Sequence, residues 1–216
     1  MNANTKKLVI IGMLCAIAYV VMFVGRFPVV LFLKYDPKDV IITIGGFLYG
    51  PLASALVSVV VSAIEMFSTS ETGIIGLIMN ILSSCSFACT AAWIYKKNHT
   101  LKGAVTGLIA GCAAMTAIML LWNYLITPIY MGYPRQAVAE LLLPAFLPFN
   151  LLKGCLNAAI TMLLYKPVVT ALRRSGLIES ASGEPAKREH HVGVMLVSVL
   201  VLITVIVLML VLKGVI

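Results

Sequence analysis

Residues 40–64 read VIITIGGFLYGPLASALVSVVVSAI, an uncharged run of 25 positions. As one helix it would cross a bilayer, because roughly 20 apolar residues span about 30 Å of hydrocarbon. Within it, Pro51 follows Gly50 directly. Proline has no N–H to donate and drives the preceding residue out of the helical region, so the pair interrupts a helix. Whether the run is one segment or two sets the direction of every segment after it.

The charges around the other apolar runs decide the matter. These runs lie at 8–25, 72–95, 103–131, 141–154 continuing to 165, and 192–212. With Lys6 and Lys7 on the cytoplasmic side, residues 26–39 are outside. An unbroken helix over 40–64 then puts Lys96, Lys97 and Lys102 outside, and Lys166, Arg173 and Arg174 with them. That reverses the usual enrichment of Lys and Arg in cytoplasmic loops. A turn at Gly50 returns every one of these clusters to the cytoplasm. The expectation is an all-α integral membrane protein of the plasma membrane, a six-helix transmembrane bundle with a seventh, C-terminal transmembrane helix. The first half of the split run is short for a span, so it borrows from residues 34–39, tilts, or is sheltered by its neighbours.

Three units follow. Residues 1–172 form the membrane domain, with a cytoplasmic N-terminus and an uncleaved first span. Residues 173–191, RRSGLIESASGEPAKREHH, form a polar cytoplasmic linker. Residues 192–213 carry the additional helix, apolar all round, as an anchor or outer packing helix; Lys213 and the C-terminus then lie outside.

Composition agrees. Of 216 residues 61% are hydrophobic and 11% charged, far more apolar surface than a soluble core of this size could hide. The net charge of +8 sits in short clusters between spans. It reads as loops beside anionic membrane lipid and not as a nucleic-acid surface. Cys15, Cys85, Cys89, Cys112 and Cys155 fall inside apolar runs, without the His or carboxylate that a metal site would add. The chain has no Walker A loop, no Gly-x-Ser-x-Gly, no His-Glu-x-x-His and no paired carboxylates. An enzyme is not expected, and energy for transport must come from outside this chain.

Polar groups within the spans mark contacts or cavities. Lys153 has Asn150 three residues before it and Asn157 four after, all on one helical face. Thr116, Asn123 and Thr127 form a second face, flanked by Trp122 and Tyr124, and Asn80, Ser83 and Ser84 a third. Amide-bearing faces converging with one lysine suit a polar, uncharged ligand such as a polyol or heteroaromatic ring. No carboxylate is expected at mid-span: Glu65 and Glu71 bracket a loop, and Asp36 and Asp39 precede a helix. Gly103, Gly107 and Gly111 recur every four residues and let helices approach closely; Gly12 and Ala16 repeat the spacing once.

Several stretches resemble riboflavin-specific substrate-binding (S) components of energy-coupling-factor (ECF) vitamin transporters. They are FLKYDPKD at 32–39, GFLYGPLA at 46–53, STSETG at 68–73 with Asn80 after it, Asn123 and Tyr124 followed by Pro128, Ile129 and Tyr130, and NLLKG at 150–154. The resemblance covers residues 6–172. It implies a six-helix protein that captures riboflavin at its extracellular face and works with a transmembrane coupling subunit and two cytoplasmic ATPases, with no cofactor of its own. Carried over by position, Asn123, Asn150 and Lys153 are the leading ligand contacts, with Asn80, Lys34, Tyr35, Thr72 and Gly73 beside them. Flavin carbonyls suit Lys and Asn donors, and ribityl hydroxyls suit amides and backbone groups.

The chain departs from the family pattern in two places. Leu77 stands where many relatives carry Glu, and the small-residue docking motif of the first helix is reduced to Gly12-x-x-x-Ala16. An S component for FMN or another vitamin stays open, with Lys34 and Lys38 able to attract a phosphate. A stand-alone secondary transporter or a membrane-embedded enzyme is the reading from another class.

Overall fold

The structure, a computed structural model, describes residues 3–30, 33–69, 72–174 and 192–212. Most of the 173–191 linker, Phe32, Ser70, Glu71 and Lys213 lie outside the described residues.

Helix α1 (Ala3–Gly25) leads into a hairpin of two short strands, β1 (Phe27–Val30) and β2 (Leu33–Tyr35), paired antiparallel. The sequence alone predicts only an external segment over 26–39, without strands. Helix α2 (Lys38–Tyr49) and helix α3 (Pro51–Ser68) follow, and the chain turns between them at Gly50. Gly50 has φ 89° and ψ 174°, a backbone region open almost solely to glycine. Pro51 begins α3, where its missing N–H costs nothing. The break that the charges demanded is therefore present.

Helix α2 has 12 residues, about 18 Å of rise and well short of a bilayer core. Shelter by neighbours resolves this: α2 packs on α1, α3, α4 and α7. All its residues from 38 to 47 are buried.

Helix α4 (Gly73–Lys97) and helix α5 (Leu101–Met131) form the tightest pair. A Cβ on Gly107 would lie 2.7 Å from the Ala91 carbonyl oxygen, and one on Gly111 2.5 Å from that of Phe87. The glycine repeat thus lets α5 press against the backbone of α4. Helix α6 (Arg135–Leu141) runs through a wider π-helical turn (Leu142–Phe146) into α7 (Leu147–Arg174). Pro144 falls within this turn and Pro148 in the first turn of α7, and neither can donate to the ladder. Helix α8 (Val192–Leu212) packs along α7.

Five of the described helices are long and apolar enough to cross a membrane. Leu8, Val24, Leu52, Phe67, Leu143 and Leu200 are exposed on the outer surface. Ser54, Ser58, Ser62 and Glu65 of α3 are buried. An apolar outside and a partly polar inside is the distribution a bilayer selects.

Following the helices end to end gathers the basic clusters. Lys7 Nζ lies 5.9 Å from the Tyr49 ring. Tyr95 and Tyr165 share a hydroxyl hydrogen bond of 2.8 Å beside Phe47. Lys6, Lys7, Lys96, Lys97, Lys102 and Lys166 therefore share one end of the bundle, and the hairpin closes the other.

Candidate functional site

The hairpin end holds the polar interior. Val29, Leu33 and Tyr35 pack against Val138, Phe146 and Phe149, which seats the hairpin on α6, the π turn and the start of α7. From there the Tyr35 hydroxyl reaches down and donates to Asn157 Oδ1 at 2.8 Å. Asn157 Nδ2 in turn donates to Asp39 Oδ2 at 3.2 Å. Lys153 Nζ lies 3.2 Å from the same oxygen and donates to Ser83 Oγ at 3.2 Å. Ser84 donates to Asp39 Oδ1 at 2.5 Å. Helices α2, α4 and α7 and the hairpin thus meet at one carboxylate, whose residue is 0% exposed.

This corrects two expectations. Lys153 is not a lone cation, since Asp39 in the first turn of α2 pairs with it. Glu65, in the last turn of α3 before the loop, is not solvated either: it is 3% exposed and pairs with both Arg26 and Lys38. Lys38 is 0% exposed and also lies 3.7 Å from Asp36, so it is not placed to attract a phosphate.

Arg26 completes this second cluster, donating to Asp36 through Nε and, at 3.1 Å, through Nη2. Burial alone would weaken the Arg26 charge; Asp36 and Glu65 outweigh it and raise its pKa. Burial also pushes the Asp36 carboxyl up, but the Lys38 charge, the Arg26 hydrogen bond and the more distant Lys153 hold it below its ordinary value. Burial, with Asp39 and Asp36 nearby, pushes the Tyr35 phenol well up, so it stays a protonated donor.

The remaining expected residues divide by position. Asn150 and Asn123 are buried and turned back on their own helices. Asn150 Nδ2 donates to the Phe146 carbonyl at 2.8 Å, and Asn123 Nδ2 to that of Met119 at 2.7 Å. Thr127 donates to Asn123 Oδ1 at 3.0 Å. Asn80 is half-buried on α4, one turn nearer the hairpin end than Ser83 and Ser84. Thr72 and Gly73 sit at the start of that helix, Gly73 exposed with φ 57°. Lys34 is exposed and does not join the Lys153 network. It lines a separate cavity of about 260 Å³ at the hairpin end, with Met22, Phe23, Arg26, Pro28 and Thr69. Gly12 and Ala16 lie elsewhere, on an exposed face of α1 with Val9, Met13, Ile17 and Val20.

The interior therefore presents donors in surplus. A lysine ammonium carries three N–H groups, of which Asp39 and Ser83 engage two. Each asparagine amide has a second N–H beyond the bond to its own helix. Donors of this kind suit carbonyl and hydroxyl acceptors.

Comparison with known proteins identifies the family. The family described as ECF transporter, substrate-specific component, matches residues 6–165. Riboflavin transporter RibU of Staphylococcus aureus (strain TCH60) is 32% identical over 181 residues, covering 79% of this chain and 94% of its own length. Riboflavin transporter FmnP of Bacillus subtilis (strain 168) is 32% identical over 173 residues, 75% of this chain and 91% of that protein. A solved S component of a bacterial ECF transporter superposes with a TM-score of 0.67 at 31% identity, over 79% of this chain and 99% of that one.

Proposed function

The chain belongs to the substrate-specific components of ECF transporters, a transport family and not an enzyme family, and from that premise we propose that it captures riboflavin for uptake. The observation that carries the reading is the buried face of α7, where Asn150, Lys153 and Asn157 stand together in the interior of a bundle that is apolar outside. Likeness to two riboflavin transporters over more than nine-tenths of their length supports the choice of vitamin.

In this reading Lys153 offers its third N–H to a flavin carbonyl. Asn123 and Asn150 turn their remaining amide groups to the ring or the ribityl chain. Tyr35, Thr72, Gly73, Asn80 and Lys34 contribute at the hairpin end, which faces outward. The N-terminus and the basic end are cytoplasmic. Residues 1–172 are the binding domain, 173–191 a linker, and 192–213 a seventh span that leaves the C-terminus outside. With no ATPase motif of its own, the chain relies on a transmembrane coupling subunit and two cytoplasmic ATPases, the former docking on the α1 face at Gly12 and Ala16.

The test is direct. The purified protein is expected to carry a yellow flavin, and titration with riboflavin to quench the fluorescence of Trp122, the neighbour of Asn123. No bound flavin and no quenching up to micromolar riboflavin overturns the proposal. The second reading is FMN: Lys34 lines the outer cavity, beside an Arg26 whose charge Asp36 and Glu65 already engage. Competition between riboflavin and FMN in the same titration decides between them.

A further inference from the structure

The opposite, basic end of the bundle holds a feature the flavin reading leaves unused. Helices α5, α7 and α8 enclose a crevice of about 350 Å³, walled by Leu108 and Ile109, Ala158 and Met162, and Val197 and Val201. Ile109 is 64% and Val197 61% exposed, so the crevice opens sideways to the surroundings of the bundle. Ser198 supplies the lone hydroxyl of its lining. A water needs two or more polar partners, so the space suits an apolar occupant. Its volume of about 350 Å³ is less than that of one turn of a helix about 10 Å across with its side chains.

Charge at the rim narrows the choice. Val105 and Ile109, both in the lining, follow Lys102 by three and seven positions; Met162 and Ala158 precede Lys166 by four and eight. Each lysine thus lies on the very helix face that walls the crevice, one turn beyond it. Both are exposed, and among the described residues no carboxylate pairs with either. Basic pockets between transmembrane helices at a cytoplasmic surface select anionic headgroups. The third wall comes from α8, which lies beyond the family match ending at residue 165.

We propose that the crevice between α5, α7 and α8 holds one acyl chain of an anionic glycerophospholipid, whose phosphate sits between Lys102 and Lys166. The site is separate from the flavin wall, and its test does not depend on flavin binding. Native mass spectrometry of the full chain in detergent, with phosphatidylglycerol or phosphatidylcholine of identical chains added, reads it out. Wild-type protein is expected to retain one phosphatidylglycerol with roughly thirtyfold preference, from two lysines at about 1 kcal/mol each beside a headgroup of net negative charge, which the choline of phosphatidylcholine cancels. Lys102→Gln with Lys166→Gln is expected to erase the preference while leaving the melting temperature unchanged.

Gly193→Leu addresses the chain-binding part. Gly193 lines the crevice, and a Cβ there meets nothing within 4 Å, so the leucine enters the open space without strain. It is expected to abolish retention of both lipids. Equal retention of the two lipids by wild type, an undiminished preference in the double lysine variant, or undiminished binding by Gly193→Leu each overturns the proposal. So does lipid bound only when a second membrane protein co-purifies.

Discussion

Lys153 of α7 and Asp39 of α2 meet in the closed interior, Nζ to Oδ2 at 3.2 Å, and tie the helix after the hairpin to the face that carries the candidate site. Asn157, Ser84 and Lys153 together occupy the Asp39 carboxylate. A buried charge of this kind is tolerable because each partner satisfies the other, and removing one leaves the other stranded. Asp39→Asn should therefore lower stability by about 3–5 kcal/mol. The double variant Asp39→Asn with Lys153→Met should recover part of that loss. Thermal melting in detergent measures both; a double variant no more stable than the single one would show that the pair is not the source.

Ligand affinity should respond differently at the three leading contacts. A hydrogen bond from a charged donor contributes about 1.5–3 kcal/mol and one from a neutral amide about 0.5–1.5 kcal/mol. Lys153→Ala should weaken riboflavin binding by roughly ten- to a hundredfold, and Asn123→Ala or Asn150→Ala by about tenfold or less. Because Lys153→Ala also strands Asp39, Lys153→Ala with Asp39→Asn is the cleaner comparison. Fluorescence titration gives each Kd, and unchanged affinity in all three single variants removes the site.

Parts of this architecture are legible in the sequence for definite physical reasons. Basic residues cannot be left on the wrong side of a membrane without cost, so Lys96, Lys97, Lys102 and Lys166, with Arg173 and Arg174, dictate a break at Gly50. The polar faces of α5 and α7 stand out because Asn123, Asn150, Lys153 and Asn157 interrupt apolar runs at helical spacing. The hairpin was not legible. Its strands are only 4 and 3 residues long, one contains Pro28, and they are held by Phe146 and Phe149 from far along the chain. Burial of Lys38, Asp39 and Glu65 was hidden for the same reason. A charge near an apolar run looks like a segment end unless its partner is known, and one partner of Asp39 lies 118 positions away.

The exposed face of α1 yields a prediction about assembly. A Cβ on Gly12 meets nothing within 4 Å, so Gly12→Leu fits the isolated chain. Small residues on such a face allow close helix approach, and a leucine would hold a partner helix away. Gly12→Leu should keep its melting temperature and flavin affinity but lose co-purification with the coupling subunit. Intact co-purification would place the docking surface elsewhere.

The turn at Gly50 should be intolerant of any side chain. At φ 89° and ψ 174° a Cβ clashes with its own backbone, at a cost of about 1–3 kcal/mol. Gly50→Ala should lower the melting temperature accordingly, while Gly132→Ala, at φ 67° in the left-handed region and with open space around it, should cost less. Equal losses at the two positions would mean that the Gly50 backbone adapts.

Acid should loosen the hairpin end through Asp36, which lies between β2 and α2 and outside the spanning helices. Its folded pKa is below the ordinary value because Lys38 and Arg26 outweigh burial. The unfolded carboxyl, at about 3.9, takes up its proton first as pH falls. The stabilisation from Asp36 is therefore complete above that value and is lost progressively as pH drops through the folded pKa. Asp36→Asn removes this titration while Asp39 and Glu65 remain in both proteins. The difference in melting temperature between wild type and Asp36→Asn should be constant from pH 7 to about 5 and shrink below about 4. A difference independent of pH down to 3 would show that the Arg26–Asp36 contact contributes through shape and not through charge.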